Sequence, residues 1–73
     1  MQGQIVMVQE SRFRLVGAQG AKLFILSHKA PLAPQDLSSL QNEDADVCVH
    51  YEEAPDLIVG VAYDITYPME LNG

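Results

Sequence analysis

Apolar and polar residues alternate in several short runs along the chain, and this period of two predicts β-strands rather than helices. The densest apolar run lies within residues 22–27, where four large apolar side chains follow one another, as in a strand covered on much of both faces. In the run before it, Phe13 and Leu15 alternate with arginines and should face the core. Arg12 and Arg14 then face outward, since burying an unpaired arginine is costly. The whole pattern predicts five strands, over residues 3–9, 12–16, 22–27, 47–51 and 57–66.

One segment breaks the alternation and predicts a short helix between the third and fourth strands. Pro34 suits the first helical turn because its φ angle is already fixed, and Asp36 lies where the helix dipole favours an acid. Leu37 and Leu40 share one helix face at a spacing of three residues. Asn42 can end the helix, and we expect the two leucines to cover the bottom of a barrel.

The loop between the second and third strands sets which side chains lie opposite each other. A three-residue loop over 18–20, with Gly20 in the left-handed region, would pair Gly17 with Ala21. The register that follows pairs Leu15 with Leu23, Phe13 with Ile25, Arg14 with Phe24 and Arg12 with Leu26. Phe24 would then face outward beside the two arginines.

A connection over residues 52–56 would join the last two strands and fix their register. It sets Tyr51 opposite Leu57, Val49 opposite Val59, and Val47 opposite Val61. Tyr63 and Ile65 would continue the inward set along the last strand. Pro68 stops the sheet, so residues 68–73 are expected to form a loose tail.

The first strand is apolar on both of its faces, with Ile5 and Met7 on one and Val6 and Val8 on the other. One face should belong to the core. The other could join Ile58 and Ala62 in an exposed patch, which a second copy of the chain or another protein would cover.

Charge is divided unevenly along the chain. Residues 1–35 hold all four lysines and arginines and one acid, whereas residues 36–73 hold nine acids and no lysine or arginine. The net charge of −6 opposes binding to polyanions over the surface as a whole, because like charges repel at long range. A local basic face on the second and third strands is compatible with that net charge.

Length and cysteine content restrict the class of protein. The 73 residues predict a single domain over 1–73. Cys48 is the only cysteine, and with His28 and His50 it has no zinc-binding spacing, so we expect no disulfide, metal or cofactor. The N-terminus lacks the basic and apolar blocks of a secretory signal, and no apolar run approaches the roughly 20 residues that span a bilayer. We therefore expect a cytoplasmic protein without membrane contact.

Three strands, a short helix and two strands in 73 residues resemble the element order of the OB-fold, a five-stranded Greek-key barrel. The chain looks most similar to cold-shock domains and to the S1-like domain of the bacterial translation initiation factor of similar size. The cold-shock second-strand motif Lys-Gly-Phe-Gly-Phe-Ile corresponds to residues 11–16, which retain Phe13 and have valine for the final isoleucine. The third-strand motif Val-Phe-Val-His-Phe corresponds to residues 23–27, where Phe24 alone matches.

This resemblance covers nearly the whole chain as element order. It implies an all-β, five-stranded OB-like barrel with one short helix between strands 3 and 4, and single-stranded nucleic acid as the ligand. Arginines stand at the glycine positions of the second-strand motif and must face outward. The inward and outward positions of this strand are therefore expected to be exchanged relative to the family. Phe13 would then lie in the core, so the base-stacking role of the family is not carried over to it.

The outer face of the second and third strands is the candidate binding site. Its predicted residues are Arg12, Arg14, Lys22, Phe24, His28 and Lys29. The cations would contact phosphates and the aromatic ring would stack on a base, as in proteins that bind single-stranded RNA or DNA. The alternatives are a protein partner or homodimer, or arginines that only keep the barrel soluble. No residue set combines a nucleophile, a base and an orienting group, so we expect no enzyme.

Overall fold

In the computed structural model, the described residues 1–56 and 58–68 form five strands and one helix. The strands are β1 (Gln2–Gln9), β2 (Arg12–Gly17), β3 (Gly20–Leu26), β4 (Asp46–Glu53) and β5 (Gly60–Thr66), and helix α1 (Pro34–Asn42) lies between β3 and β4. This order confirms the predicted all-β architecture with one short helix. The predicted tail lies, from Met69 onward, outside the described residues.

The strands close into a barrel in the order β1-β2-β3-β5-β4, with β4 returning to pair with β1. The β3–β5 pair is parallel and the other pairs are antiparallel. This topology is consistent with an OB-like fold. In a ring of five strands β2 lies across from the β4–β5 pair, so these two parts of the wall face opposite sides of the molecule.

The core fills the barrel with side chains from every strand and from α1. Nine hydrophobic residues are buried: Ile5, Phe13, Leu15, Phe24, Leu26, Leu37, Val47, Val49 and Ala62. The ring of Phe24 stacks on Phe13 at a centroid distance of 5.3 Å and meets the edge of Tyr51 at 5.0 Å. Aromatic pairs at these distances contribute about 0.5–1.5 kcal/mol beyond the area they bury.

Helix α1 begins at Pro34 and ends at Asn42, as its sequence predicts. The carboxylate of Asp36 accepts a hydrogen bond of 2.7 Å from the backbone N–H of Ala33, which secures the first turn. Leu37 is fully buried in the core. The side-chain amide of Gln41 donates to the carbonyl of Val6 at 3.1 Å, so α1 is also tied to β1. No helix in the described part of the chain is long and apolar enough to cross a membrane.

The predicted register between β2 and β3 is wrong by one residue. Gly17 pairs with Gly20 rather than Ala21, which leaves a two-residue turn, and Gly20 has a φ angle of +108°. Phe13 therefore lies opposite Phe24, and Phe24 is fully buried rather than exposed. Both faces of β3 are apolar, so its alternation did not fix the inward side. The observed register places the larger aromatic side chain in the core.

A bulge in β1 overturns the predicted faces of that strand. Ile5 lies opposite Leu15 and is buried, but the register then shifts, so that Met7 lies opposite Arg14. Val6 is the extra residue of this bulge and is 47% exposed. Met7 thus faces outward instead of sharing the face of Ile5, because one inserted residue reverses the alternation beyond it.

The predicted β4–β5 hairpin also differs from the structure, because β5 begins at Gly60, which pairs with Glu53. Tyr51 lies opposite Ala62, and its predicted partner Leu57 is outside the described residues. A second register shift leaves Tyr63 unpaired with β4 and 48% exposed, not inward as predicted. Val47 and Val49 are buried as predicted, but Val49 pairs with Ile65 and not with Val59. The predicted apolar patch is not assembled either, since Ile58 is 98% exposed while Ala62 is buried.

Candidate binding face

Arg12 and Arg14 lie on the outer surface of β2, as predicted, because Phe13 and Leu15 between and after them are fully buried. Both arginines are exposed. We call the outward residues around them the arginine face: Met7 and Gln9 on β1, Arg12 and Arg14 on β2, and Leu23 and Ile25 on β3.

Aliphatic side chains occupy the arginine face between its cations. Arg14 lies between Met7 on β1 and Leu23 on β3, and Arg12 has Ile25 as its β3 neighbour. The three apolar residues are half-buried rather than covered. The face therefore presents hydrophobic surface directly beside two guanidinium groups.

The two arginines are not neutralised by carboxylates within the described residues. There, an ion pair within 4 Å is found for Lys22 and Glu53, whose Nζ and Oε1 atoms are 3.1 Å apart, and for no other pair. No carboxylate of the described residues therefore competes with an external anion for the guanidinium groups of Arg12 and Arg14.

The structure does not bring Lys22 to the arginine face. Lys22 lies opposite Leu15, on the inward side of β3, and its side chain reaches Glu53 of β4. Its Nζ atom also lies 5.5 Å from the centroid of the Tyr51 ring. In this arrangement the Lys22 ammonium faces Glu53 and the Tyr51 ring rather than Arg12 and Arg14.

Phe24, which the sequence predicts on the binding face, lies in the core of the barrel instead. Its ring is fully buried between Phe13 and Tyr51. It cannot stack on a nucleobase without opening the core. The arginine face itself contains no aromatic side chain, so the predicted stacking platform on β2 and β3 is absent.

His28 and Lys29 are exposed in the turn that follows β3. Lys29 lines a shallow pocket of about 340 Å³ together with Ser27, Glu52, Val61 and Tyr63. This pocket adjoins the arginine face, because Val61 pairs with Ile25 across the β3–β5 ladder. Sequence reasoning missed Tyr63 here, since the bulge that turns it outward has no signal in the local sequence.

The opposite wall of the barrel carries a different surface on β4 and β5. Cys48 lies opposite Thr66 and His50 opposite Asp64, and the His50 Nε2 and Thr66 Oγ1 atoms are hydrogen-bonded at 2.9 Å. These strands border an open groove of about 1160 Å³, which we call the β4–β5 groove; it is lined by Gln2, Asp46, Cys48, His50, Thr66, Tyr67 and Pro68. Within the described residues, no three histidine, cysteine or acidic side chains are placed to hold a metal ion.

Comparison with known proteins gives no relative from which a role for either surface could be transferred. No protein-family model matches the chain, and neither the curated proteins nor the solved structures contain a significant match.

Proposed function

We propose that this protein is a non-catalytic binding module, which docks a protein segment bearing carboxylates on its arginine face. The supporting observation is that Arg12 and Arg14 are exposed, have no carboxylate partner within the described residues, and flank half-buried aliphatic side chains. Arginine and methionine are enriched at protein interfaces, whereas lysine and acidic residues are depleted there.

The chemistry of the face fits a partner segment that alternates acidic and apolar side chains. Carboxylates can pair with guanidinium groups through two parallel hydrogen bonds, and such pairs are stronger and more specific than pairs with lysine. An apolar side chain of the partner would cover Leu23, Ile25 and the aliphatic stems of the arginines. Burial of that apolar surface would supply most of the affinity, and the ion pairs would set the register.

Single-stranded nucleic acid is the second candidate, and one observation favours it. Tyr63 is half-exposed in the same pocket as Lys29, next to the arginine face, so one base could stack while nearby cations contact phosphates. The net charge of −6 and the burial of Phe24 weigh against this ligand.

An amide chemical-shift titration separates the two candidates. The probes are a short peptide of alternating Leu and Glu, the matching peptide of Leu and Lys, and a short oligodeoxythymidine. We expect the Leu–Glu peptide alone to shift the amides of the arginine face. Absence of those shifts would refute protein docking at this face. Salt-sensitive shifts at Arg12, Lys29 and Tyr63 with oligodeoxythymidine would instead favour the nucleic-acid candidate.

A matched pair of variants sharpens this test. Arg14→Glu and Lys29→Glu change the net charge by the same amount, but only Arg14 belongs to the arginine face. If the face binds a protein segment, Arg14→Glu lowers the affinity for the Leu–Glu peptide at least tenfold, equivalent to about 1.4 kcal/mol. Lys29→Glu leaves that affinity nearly unchanged. Equal losses of oligodeoxythymidine binding in both variants would favour nucleic acid.

A further inference from the structure

Charge is segregated between the two opposite walls of the barrel. Strand β2 carries two arginines and no acid, whereas β4 and β5 together carry four acids and no lysine or arginine. The outward acids of that wall include the exposed Asp46 and the half-buried Asp64, whereas Glu52 lies in the pocket beside Lys29. Within the described strands, the arginines of β2 and the acids Asp46 and Asp64 thus lie on different walls of the barrel.

The β4–β5 groove adds a shape and a chemistry that suit an arginine side chain. It is lined by Asp46, by the hydrogen-bonded pair of His50 and Thr66, and by Tyr67, which is 65% exposed. A guanidinium group can pair with a carboxylate while its plane lies against a tyrosine ring. These features complement the arginine face of the same chain.

We infer that the partner that supplies the carboxylates is a second copy of this chain, with Arg12 and Arg14 of one copy docking into the β4–β5 groove of the next. This inference rests on the proposed function of the arginine face. Since the two surfaces lie on opposite walls, the contact is head-to-tail. A dimer then keeps one arginine face open at one end and one β4–β5 groove open at the other, and each can bind a further copy. Assembly therefore continues with concentration instead of stopping at a symmetric dimer.

The net charge of −6 on each copy opposes this contact and makes it weak. At physiological salt the Debye length is about 8 Å. Salt therefore weakens the repulsion between whole molecules, whose charges are far apart, more than the attraction between groups in contact. We accordingly expect self-association to appear at high protein concentration near physiological salt.

Sedimentation velocity over a series of protein concentrations tests the inference. The weight-average mass of the wild type should rise with concentration, while Arg14→Glu and Asp46→Lys should each stay monomeric. A mixture of these two variants should associate, because one retains the groove and the other retains the arginine face. Lys29→Glu and Asp56→Lys carry the same charge changes outside both surfaces and should associate like the wild type.

Two results would overturn the inference. One is a wild type that stays monomeric throughout; the other is association that Lys29→Glu weakens as much as Arg14→Glu does. Amide spectra of every variant serve as the control that the barrel is folded. A monomeric wild type that still binds the Leu–Glu peptide on its arginine face would refute the second copy as partner and leave the proposed function standing. A wild type that neither self-associates nor binds the Leu–Glu peptide would refute both proposals.

Discussion

Gly60 lies at the start of β5, where a side chain would collide with two aromatic rings. A Cβ atom added there would lie 2.8 Å from Cδ2 of Tyr51 and 2.9 Å from Cδ1 and Cε1 of Phe24. Gly60 is buried and Phe24 fully so, which leaves the Phe24 ring little room to move, whereas Tyr51 is half-buried. We therefore predict that Gly60→Ala destabilises the protein through overpacking.

The expected loss follows from two opposing effects. Overpacking a core by a methyl group costs about 1–3 kcal/mol, and the close distances at Gly60 favour the upper part of that range. Replacing glycine by alanine recovers about 0.4–1 kcal/mol by restricting the unfolded chain. The net loss is about 2 kcal/mol, a large share of the roughly 4–11 kcal/mol expected for 73 residues. It should lower Tm by roughly 8–16 °C.

A double-mutant cycle with Phe24→Leu identifies the cause of this loss. Leucine lacks the Cε1 atom of Phe24 that the new methyl group would meet, while the contact with Tyr51 remains, so Gly60→Ala should cost about 1 kcal/mol less in that background than in the wild type. Urea denaturation of the four proteins measures the coupling, with unchanged m values as the control for two-state unfolding. The same cost in both backgrounds would refute the contact between Phe24 and the new methyl group and assign the collision to Tyr51 alone, and a neutral Gly60→Ala would refute both contacts.

Three further substitutions test the fold. Phe13→Ala should cost about 3–5 kcal/mol in urea denaturation as a large core truncation, and a smaller loss would contradict the burial of Phe13. Gly20→Ala should lower stability by about 1–3 kcal/mol, because alanine rarely adopts a φ angle of +108°; an unchanged Tm would contradict the two-residue turn. Glu53→Gln should cost less than about 1 kcal/mol, an amount that high salt reduces, since the Glu53 carboxylate that pairs with Lys22 is 63% exposed.

The order of the elements was predictable because it depends on local signals. Strict alternation around Phe13, together with the cost of burying Arg12 and Arg14, fixes the inward side of β2. Pro34 and the spacing of Leu37 and Leu40 fix the helix. These signals do not depend on how distant strands meet.

The face of β3 that points into the core was not predictable, because both of its faces are apolar. Leu23 and Ile25 are as hydrophobic as Phe24 and Leu26, so only the length of the turn before Gly20 decides which pair is buried. A difference of one residue in that turn exchanges the two faces. The predicted three-residue loop therefore places Phe24 on the binding face, and the observed two-residue turn places it in the core.

Two bulges limit what the sequence reveals about the site. Each inserts one residue, at Val6 in β1 and at Tyr63 in β5, and reverses the alternation beyond it. Met7 consequently joins the arginine face, and Tyr63 joins the pocket beside Lys29. Bulges depend on how strands fit around the closed barrel, which a run of alternating residues does not encode.

The dissociation constant of the Leu–Glu peptide, measured for the wild type, Arg14→Glu and Phe24→Leu, tests the arginine face most directly. We predict a loss of at least tenfold for Arg14→Glu and a nearly unchanged value for folded Phe24→Leu, because Arg14 is exposed on the face while Phe24 lies in the core. A folded Phe24→Leu variant that loses the peptide while Arg14→Glu retains it would contradict the account, since Phe24 and not Arg14 would then form the binding surface.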